Sequence, residues 1–597
     1  MEELHHSGVL VPPRYEGKGL TVKVKGREIR LTTDQEEMAV AWAKKVGTPY
    51  VEDPVFAKNF HRDFSKKLGI DIKPGDVDYS DIIALVEKES EYKASLSREE
   101  KKRLAAQRKV AREENKERYG YAVVDGERME LANYVAEPSS IFMGRGEHPM
   151  RGSWKEGPRK EDIVLNLSPD APKPKGNWRE IIWEPEAIWI ARWQDKLSGK
   201  MKYVWFSDST DIKQRKDIEK FDKTNVFRRN LSRIQKHILE NLESENLKRR
   251  KIATVCFLID ELKIRVGDEK DPDEADTVGA STLRSEHIKI NGDGTVTFNF
   301  LGKDCVPHIF TKQLPDVVIR NLKEFAANSK ATLFDGVRSH QVSEFLDEVM
   351  TGLSAKVFRT LYASDAVKTK LKKTRVKPEQ PVYLKKYVAT IANLEAAKVC
   401  NHKRTIPKTW KASLEKKKDR LKVLKERAKL AQAKLRKRAK DTQKKHGERL
   451  EKQEERLRAA VEKLEDYKCQ LEERKQQGKN VDVLKKRVRS KRQDIARQRQ
   501  RIKELKVKHE ERMKKRRQSM ENRKQRDKAA VEKMKLKVEL QGETRDYNLT
   551  TSLKSYIDPR IYYDWGKKVE YDWKLYYPKT LQKKFSWVDS QEEKTDD

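Results

Sequence analysis

The chain has 597 residues, a mean hydropathy of −0.93 and 39% charged residues, so a single core cannot hold it. No apolar run approaches the roughly 18–20 residues of a membrane span. A formal net charge of +38 draws such a protein to polyanions, with nucleic acid the default partner and affinity falling as salt rises. Cys256, Cys305, Cys400 and Cys469 are scattered without CxxC or zinc spacing, which argues against a disulfide framework or structural zinc and fits a reducing compartment. The opening MEELHHSGVLVPP has early acids and neither a basic flank nor an apolar stretch, against a secretory or organellar leader. Its adjacent His5 and His6 read as incidental rather than as a metal pair.

In chain order, the first element is Thr21–Leu31, whose alternation around Gly26 predicts a short hairpin. Thr33 and Asp34 then cap a helix through about Lys45, and 79–117 is long, charged and helical. The stretch 178–206 carries five tryptophans among Ile and Val, with turn signals at Glu184-Pro185 and Ser198-Gly199. It predicts antiparallel strands whose tryptophans pack a core rather than stack on bases. Helix returns over 212–265, with one beginning around Ile252 and ending at Arg265. Residues 294–302 (GTVTFNFLG) alternate as a strand, and helices run from about 311 towards Asn401.

Residues 411–540 hold roughly 49 Lys/Arg against 22 Asp/Glu and no proline. Leu450, Leu457, Leu464 and Leu471 recur every seven residues with Val461 between them, and Val488, Ile495 and Ile502 repeat the interval beyond a break at Gly478. Two amphipathic helices turning at Gly478 make an antiparallel coiled-coil hairpin with a narrow apolar seam. Its outer faces are either merely solvated or lie near a polyanion. The last fifty or so residues are aromatic and globular again, with Tyr556 and Pro559 in SLKSYIDPR.

GxxxxGK[ST], HExxH and GxSxG motifs are absent, so ATP use, zinc hydrolysis and a serine-hydrolase elbow lack support. What remains is a basic set in defined contexts: Arg265 in LKIRVGDEK, Lys303 in FNFLGKD, Lys356 and Arg359 on one helix face in KVFR, and His402 in CNHKR. Each alone has a dull explanation, such as a helix cap or a polar core residue. Together with Tyr556 they make chemical sense. Guanidinium forks and an imidazolium can hold the non-bridging oxygens of a pentacoordinate phosphorus, a tyrosine can attack it, and a lysine can protonate the departing sugar oxygen.

At these residues the chain resembles the eukaryotic-type DNA topoisomerase IB family, over about 10–590 apart from the hairpin. The specific stretches are FMGRGEHP (142–149), 264–288, FLGKD (300–304), GLSAKVFRTLYAS (352–364), CNHKR (400–404) and SYIDPRI (555–561). The resemblance implies an α+β fold: a mixed N-terminal cap (1–208) and a mainly helical catalytic core (209–408) forming a DNA clamp. A coiled-coil linker (409–545) and a small C-terminal domain (546–597) follow. It also implies that Tyr556 forms a 3′-phosphotyrosine, that Lys303 protonates the 5′ oxygen, and that Arg265, Arg359 and His402 stabilise the transition state.

Phe142, Arg145, Lys270, Thr277, Asp304, Lys356 and Thr551 correspond to positions that approach DNA. Supercoils of either sign would relax by rotation and religation, with no ATP, no essential metal and no other cofactor. Double-stranded DNA is the implied partner of a monomer, with no membrane. Ser555 replaces the family's usual asparagine at a position that touches camptothecin-type poisons, which implies reduced sensitivity. The block 150–159 also diverges. With no long basic N-terminal extension and a longer hairpin, the sequence is similar to the compact archaeal-type form. The expectation is therefore a nucleoid-associated cytoplasmic enzyme, with the nucleus as the alternative. A tyrosine recombinase shares the Arg–Lys–Arg–Tyr set but usually carries HxxR where KVFR stands here. A basic packaging protein would leave KVFR and SYIDPR unexplained.

Overall fold

The computed structural model describes residues 1–268, 276–329 and 331–590, with the Asp304 side chain outside that set. The chain divides into two units. One comprises 1–380, 388–405 and 547–597; the other comprises 381–387 and 406–546. The fold is α+β. No helix among the described residues is long and apolar enough to cross a membrane.

Within the first unit, the N-terminal 206 residues build two separate cores. One gathers around the helices Thr33–Ala43 and Pro54–Leu68, where Trp42 stacks on Phe60. The hairpin of Thr21–Val24 and Arg27–Arg30 turns through Lys25 and Gly26, both at positive φ (48° and 82°), the geometry that matches strand twist. The first helix is capped one residue earlier than expected: Thr32 is the N-cap, and its backbone N–H donates to the Gln35 side chain at 2.8 Å. The long helical stretch is two helices, Ser80–Ser95 and Arg98–Tyr119, because Ser97 caps the second by accepting from Glu100 N at 3.2 Å.

The second core lies under a four-stranded sheet. Its outer pairing corrects the expectation of antiparallel strands throughout 178–206. Glu180–Ile182 runs parallel to Ile163–Asn166, and that strand separates it from the antiparallel pair Trp189–Gln194 and Met201–Trp205. Four tryptophans, 178, 183, 189 and 193, are buried or half-buried there, and Trp205 is exposed. His6 is half-buried on the strand Leu4–His6, which pairs with Tyr121–Val124 in a separate three-stranded sheet. Its Nε2 pairs with Asn166 O at 2.9 Å and its Nδ1 accepts from Gly8 N at 3.0 Å, a structural use of both nitrogens.

The third core spans 227–361 and carries the chemistry-bearing segments. Asn246 caps Leu247–Leu262, so this helix starts earlier than Ile252 and ends before Arg265, which follows on extended chain. The helix expected from about 311 begins only at Asp316, and Val306–Gln313 is a strand. It pairs antiparallel with Thr295–Gly302 along eight residues, which places Lys303 on the tight turn between them. Once paired, Phe298, Phe300 and Phe310 pack on the core while Leu301 and Ile309 are exposed, the two-residue period of a strand.

In the second unit, Trp410–Gln476 and Asp482–Glu543 form the coiled coil, reversing at Gly478 (φ 66°). Leu464, Val488 and Ile495 fill the seam as their spacing predicts. Val461 does not: it is 36% exposed, and Ala460 takes the inward position, because a small side chain at the three-residue step lets the facing helix approach.

Candidate active site

Tyr556 ends the short helix Leu549–Ser555, which Asn548 caps by accepting from Thr550 N and Thr551 N at 3.1 and 3.4 Å. Asp558 then caps the helix Pro559–Val569, so the tyrosine sits at a fixed corner between two capped helices. Ser364 ties that corner down. Its hydroxyl donates to Tyr556 O at 3.2 Å and accepts from Asp558 N at 3.1 Å.

Arg359 lies in the first turn of the helix Lys356–Lys373, beside the tyrosine ring. Its Nη1 donates to the Tyr556 hydroxyl at 3.0 Å, and its Nη2 to Cys400 O at 2.6 Å and towards His402 Nε2 at 3.0 Å. Arg359 is 4% exposed, and no carboxylate among the described residues pairs with it. Burying a guanidinium without an anion is costly, so this place favours one. Lys356, one turn earlier, holds its ammonium 5.5 Å from the same ring. Burial lowers its pKa, with Arg265, Lys584 and Arg359 pushing the same way and Asp217 opposing.

His402 follows Asn401, whose left-handed backbone (φ 52°) turns the chain out of the preceding helix. Its carbonyl accepts from Asn548 N at 2.7 Å, and Lys403 bridges to Tyr547, so the chain on either side of the coiled coil meets at the site. His402 Nδ1 lies 2.6 Å from Ser552 Oγ. With Arg359 necessarily a donor at Nε2, the network assigns the ring proton to Nδ1. Burial, reinforced by Arg359, Arg265 and His308, pushes the His402 pKa down to about 2. The imidazolium expected from sequence is therefore a neutral imidazole that holds Arg359 against Ser552.

A cavity of ≈ 610 Å³ opens at this corner. Arg265, Lys303, Lys356, Arg359 and Tyr556 line it, with Thr277, Thr551 and Ser555. Asp268, the one carboxylate among the described lining residues, accepts from Ser339 N at 2.9 Å. A smaller space of ≈ 60 Å³ behind it is shared by Arg265, Lys303, Arg359, His402 and His308. The structure thus brings together all five residues that the resemblance implies as catalytic. Phe142 and Arg145 do not line either space. Their loop rests on the lysine turn, where Cys305 Sγ reaches Arg145 O at 3.5 Å. Lys270 and the Asp304 side chain lie outside the described residues. In the divergent block, Arg151 is committed to an ion pair with Asp53.

Sequence reasoning missed Ser552, Ser364 and His308. Ser552 stands four residues before Tyr556, one helical turn, which is the only local signal it offered.

The buried neutral histidines carry a pH consequence. His402, His308 and His6 have folded pKa values of about 2, about 4 and about 4, against 6.5 when unfolded. Between those limits the unfolded chain binds more protons, so stability is full above pH 6.5 and falls as pH drops below it. Thermal melting from pH 7 to about pH 5 should show a steady fall in midpoint before most carboxylates titrate. A flat profile would contradict neutral burial.

Comparison with known proteins adds three family models. Residues 1–206 match the DNA-binding fragment of eukaryotic DNA topoisomerase I, 209–435 its catalytic core, and 528–596 a C-terminal topoisomerase domain. DNA topoisomerase 1 beta of Arabidopsis thaliana is 35% identical over 424 residues, 69% of this chain and 46% of that protein. DNA topoisomerase 1 of Candidozyma auris is 34% identical (71% and 58%), and that of Homo sapiens 32% identical (69% and 56%). The chain spans about half the length of the curated relatives it matches.

Proposed function

Because the chain belongs to the eukaryotic DNA topoisomerase I family, we propose that it relaxes duplex DNA by breaking and rejoining one strand through Tyr556. The observation that carries this reading is the buried Arg359 guanidinium, which has no carboxylate partner among the described residues and points at the tyrosine hydroxyl. A scissile phosphate supplies the missing anion at the place where the nucleophile waits.

In the proposed step, Tyr556 Oη bonds to phosphorus as the P–O5′ bond breaks, leaving a 3′-phosphotyrosine. The phenolic proton passes to water. Lys303 gives its ammonium proton to O5′, which departs as a 5′-hydroxyl. Arg265 and Arg359 hold the non-bridging oxygens as charge builds on them, and neutral His402 keeps Arg359 in place. Reversal of the step reseals the strand after rotation. The phosphotyrosyl bond keeps the energy of the bond it replaced, so the cycle needs neither ATP nor an essential metal. The surplus of cations on the coiled coil suits a helix pair beside DNA.

Supercoiled plasmid of either sign, incubated without ATP and with EDTA, should relax through a ladder of topoisomers. No relaxation, or relaxation only with ATP, would overturn the reading. Ser555 lines the cavity beside the nucleophile. Ser555→Asn should raise camptothecin-stabilised cleavage by about tenfold, the size of one added hydrogen bond. Equal sensitivity of the two proteins would remove Ser555 from the drug site.

A further inference from the structure

His308 stands opposite Phe300 in the hairpin that carries Lys303, and the two rings stack at 5.2 Å and 7°. The imidazole then leans diagonally over Gly302, the residue immediately before Lys303. A Cβ placed on Gly302 would lie 2.4 Å from His308 Nε2, so the glycine is required by the ring. Nε2 is thereby pressed against backbone, and Nδ1 is turned the other way. That nitrogen is buried and has no hydrogen-bond partner among the described residues. His308 lines the space of ≈ 60 Å³ together with Lys303, Arg265, Arg359 and His402.

Burial, with Lys403, Arg359 and Arg265 nearby, pushes the His308 pKa down to about 4, so the ring is neutral at neutral pH. A neutral imidazole among cations has one useful property there: a lone pair. Arg359 Nη1 and Nη2 are already engaged with Tyr556, Cys400 and His402. Lys303 is the lysine of this hairpin that lines the same space as His308, five residues away across a tight turn.

We infer that His308 is a positioning residue for proton delivery: its Nδ1 accepts a hydrogen bond from the Lys303 ammonium and aims it at the departing 5′ oxygen. The inference rests on the general-acid role given to Lys303 above. His308 touches neither the phosphate nor the nucleophile, and acts through the lysine alone.

The test is single-turnover cleavage of an oligonucleotide duplex with either oxygen or sulfur at the scissile 5′ bridging position. A thiolate leaves without being protonated, so a defect confined to proton delivery disappears with sulfur. His308→Phe keeps the ring against Phe300 and Gly302 but removes the lone pair. It should cleave the oxygen substrate about tenfold more slowly, as expected for losing a hydrogen bond to a charged group. On the sulfur substrate it should match the parent, which also shows that the variant is folded. His308→Asn restores an acceptor near the Nδ1 position and should recover the oxygen rate to within about threefold. Equal slowing on both substrates, no slowing on either, or an Asn variant as slow as Phe would each overturn the inference. Lys303→Ala separates the two claims. If sulfur does not rescue it, the general-acid assignment itself fails; if it is rescued and His308→Phe is not, only the role of His308 falls.

Discussion

Tyr556→Phe should abolish both plasmid relaxation and the covalent adduct with DNA, a loss of at least about 10⁴-fold in rate. The substitution removes one oxygen and keeps the ring, which packs against His402 at a centroid distance of 4.9 Å and beneath the Arg359 guanidinium. The corner that holds residue 556 is built from backbone groups: Ser364 on its carbonyl, and Ser552 O accepting its N–H at 3.0 Å. Neither depends on the phenol. Duplex binding, measured by anisotropy, should therefore stay within a few-fold of the parent while chemistry vanishes. The adduct is read by denaturing gel with the label upstream of the break, where a 3′-linked protein shifts the band. A Phe variant that still forms that adduct would show the nucleophile to lie elsewhere.

Arg359→Ala should lower single-turnover cleavage by about 10²–10³-fold, the usual cost of removing one preorganised donor from a charged transition state. Arg359→Lys should recover little of this. A lysine cannot reach Tyr556, Cys400 O and the phosphate with one fork, and its ammonium pays more to be buried. A second readout separates anion binding from general damage. In the absence of DNA, inorganic phosphate should raise the melting temperature of the parent, because an anion that binds only the folded site stabilises it. That shift should be absent in Arg359→Ala. A variant that keeps the phosphate shift would mean that Arg265, Lys303 and Lys356 form the anion site without Arg359.

The two substitutions address one unit and should not add. Tyr556, Arg359, His402 and Ser552 form a continuous chain of hydrogen bonds, so a double variant of Tyr556 and Arg359 should be about as slow as the worse single one.

The sequence by itself determined the residue types and the order in which they come. Seven-residue spacing at Leu450–Leu471 and Val488–Ile502 specified the hairpin, since a helix repeats its face on that interval whatever lies around it. The motifs around Arg265, Lys303, Arg359, His402 and Tyr556 pointed to the proposed chemistry, because phosphoryl transfer without a metal calls for that mixture of forks, proton donor and nucleophile. Choices that depend on distant neighbours were not legible. Nothing local distinguishes Val306–Gln313 as a strand until Thr295–Gly302 lies beside it, and nothing local prefers Ala460 to Val461 until the second helix closes on the seam. The parallel placement of Glu180–Ile182 likewise needs Ile163–Asn166 as its neighbour. Only the tertiary structure decided the protonation of His402, because its charge is set by burial and by two arginines more than forty residues away in sequence. It decided, too, that Arg359 is buried with no carboxylate partner among the described residues. Burial and electrostatic environment belong to the assembled site, and a linear order of residues does not contain them.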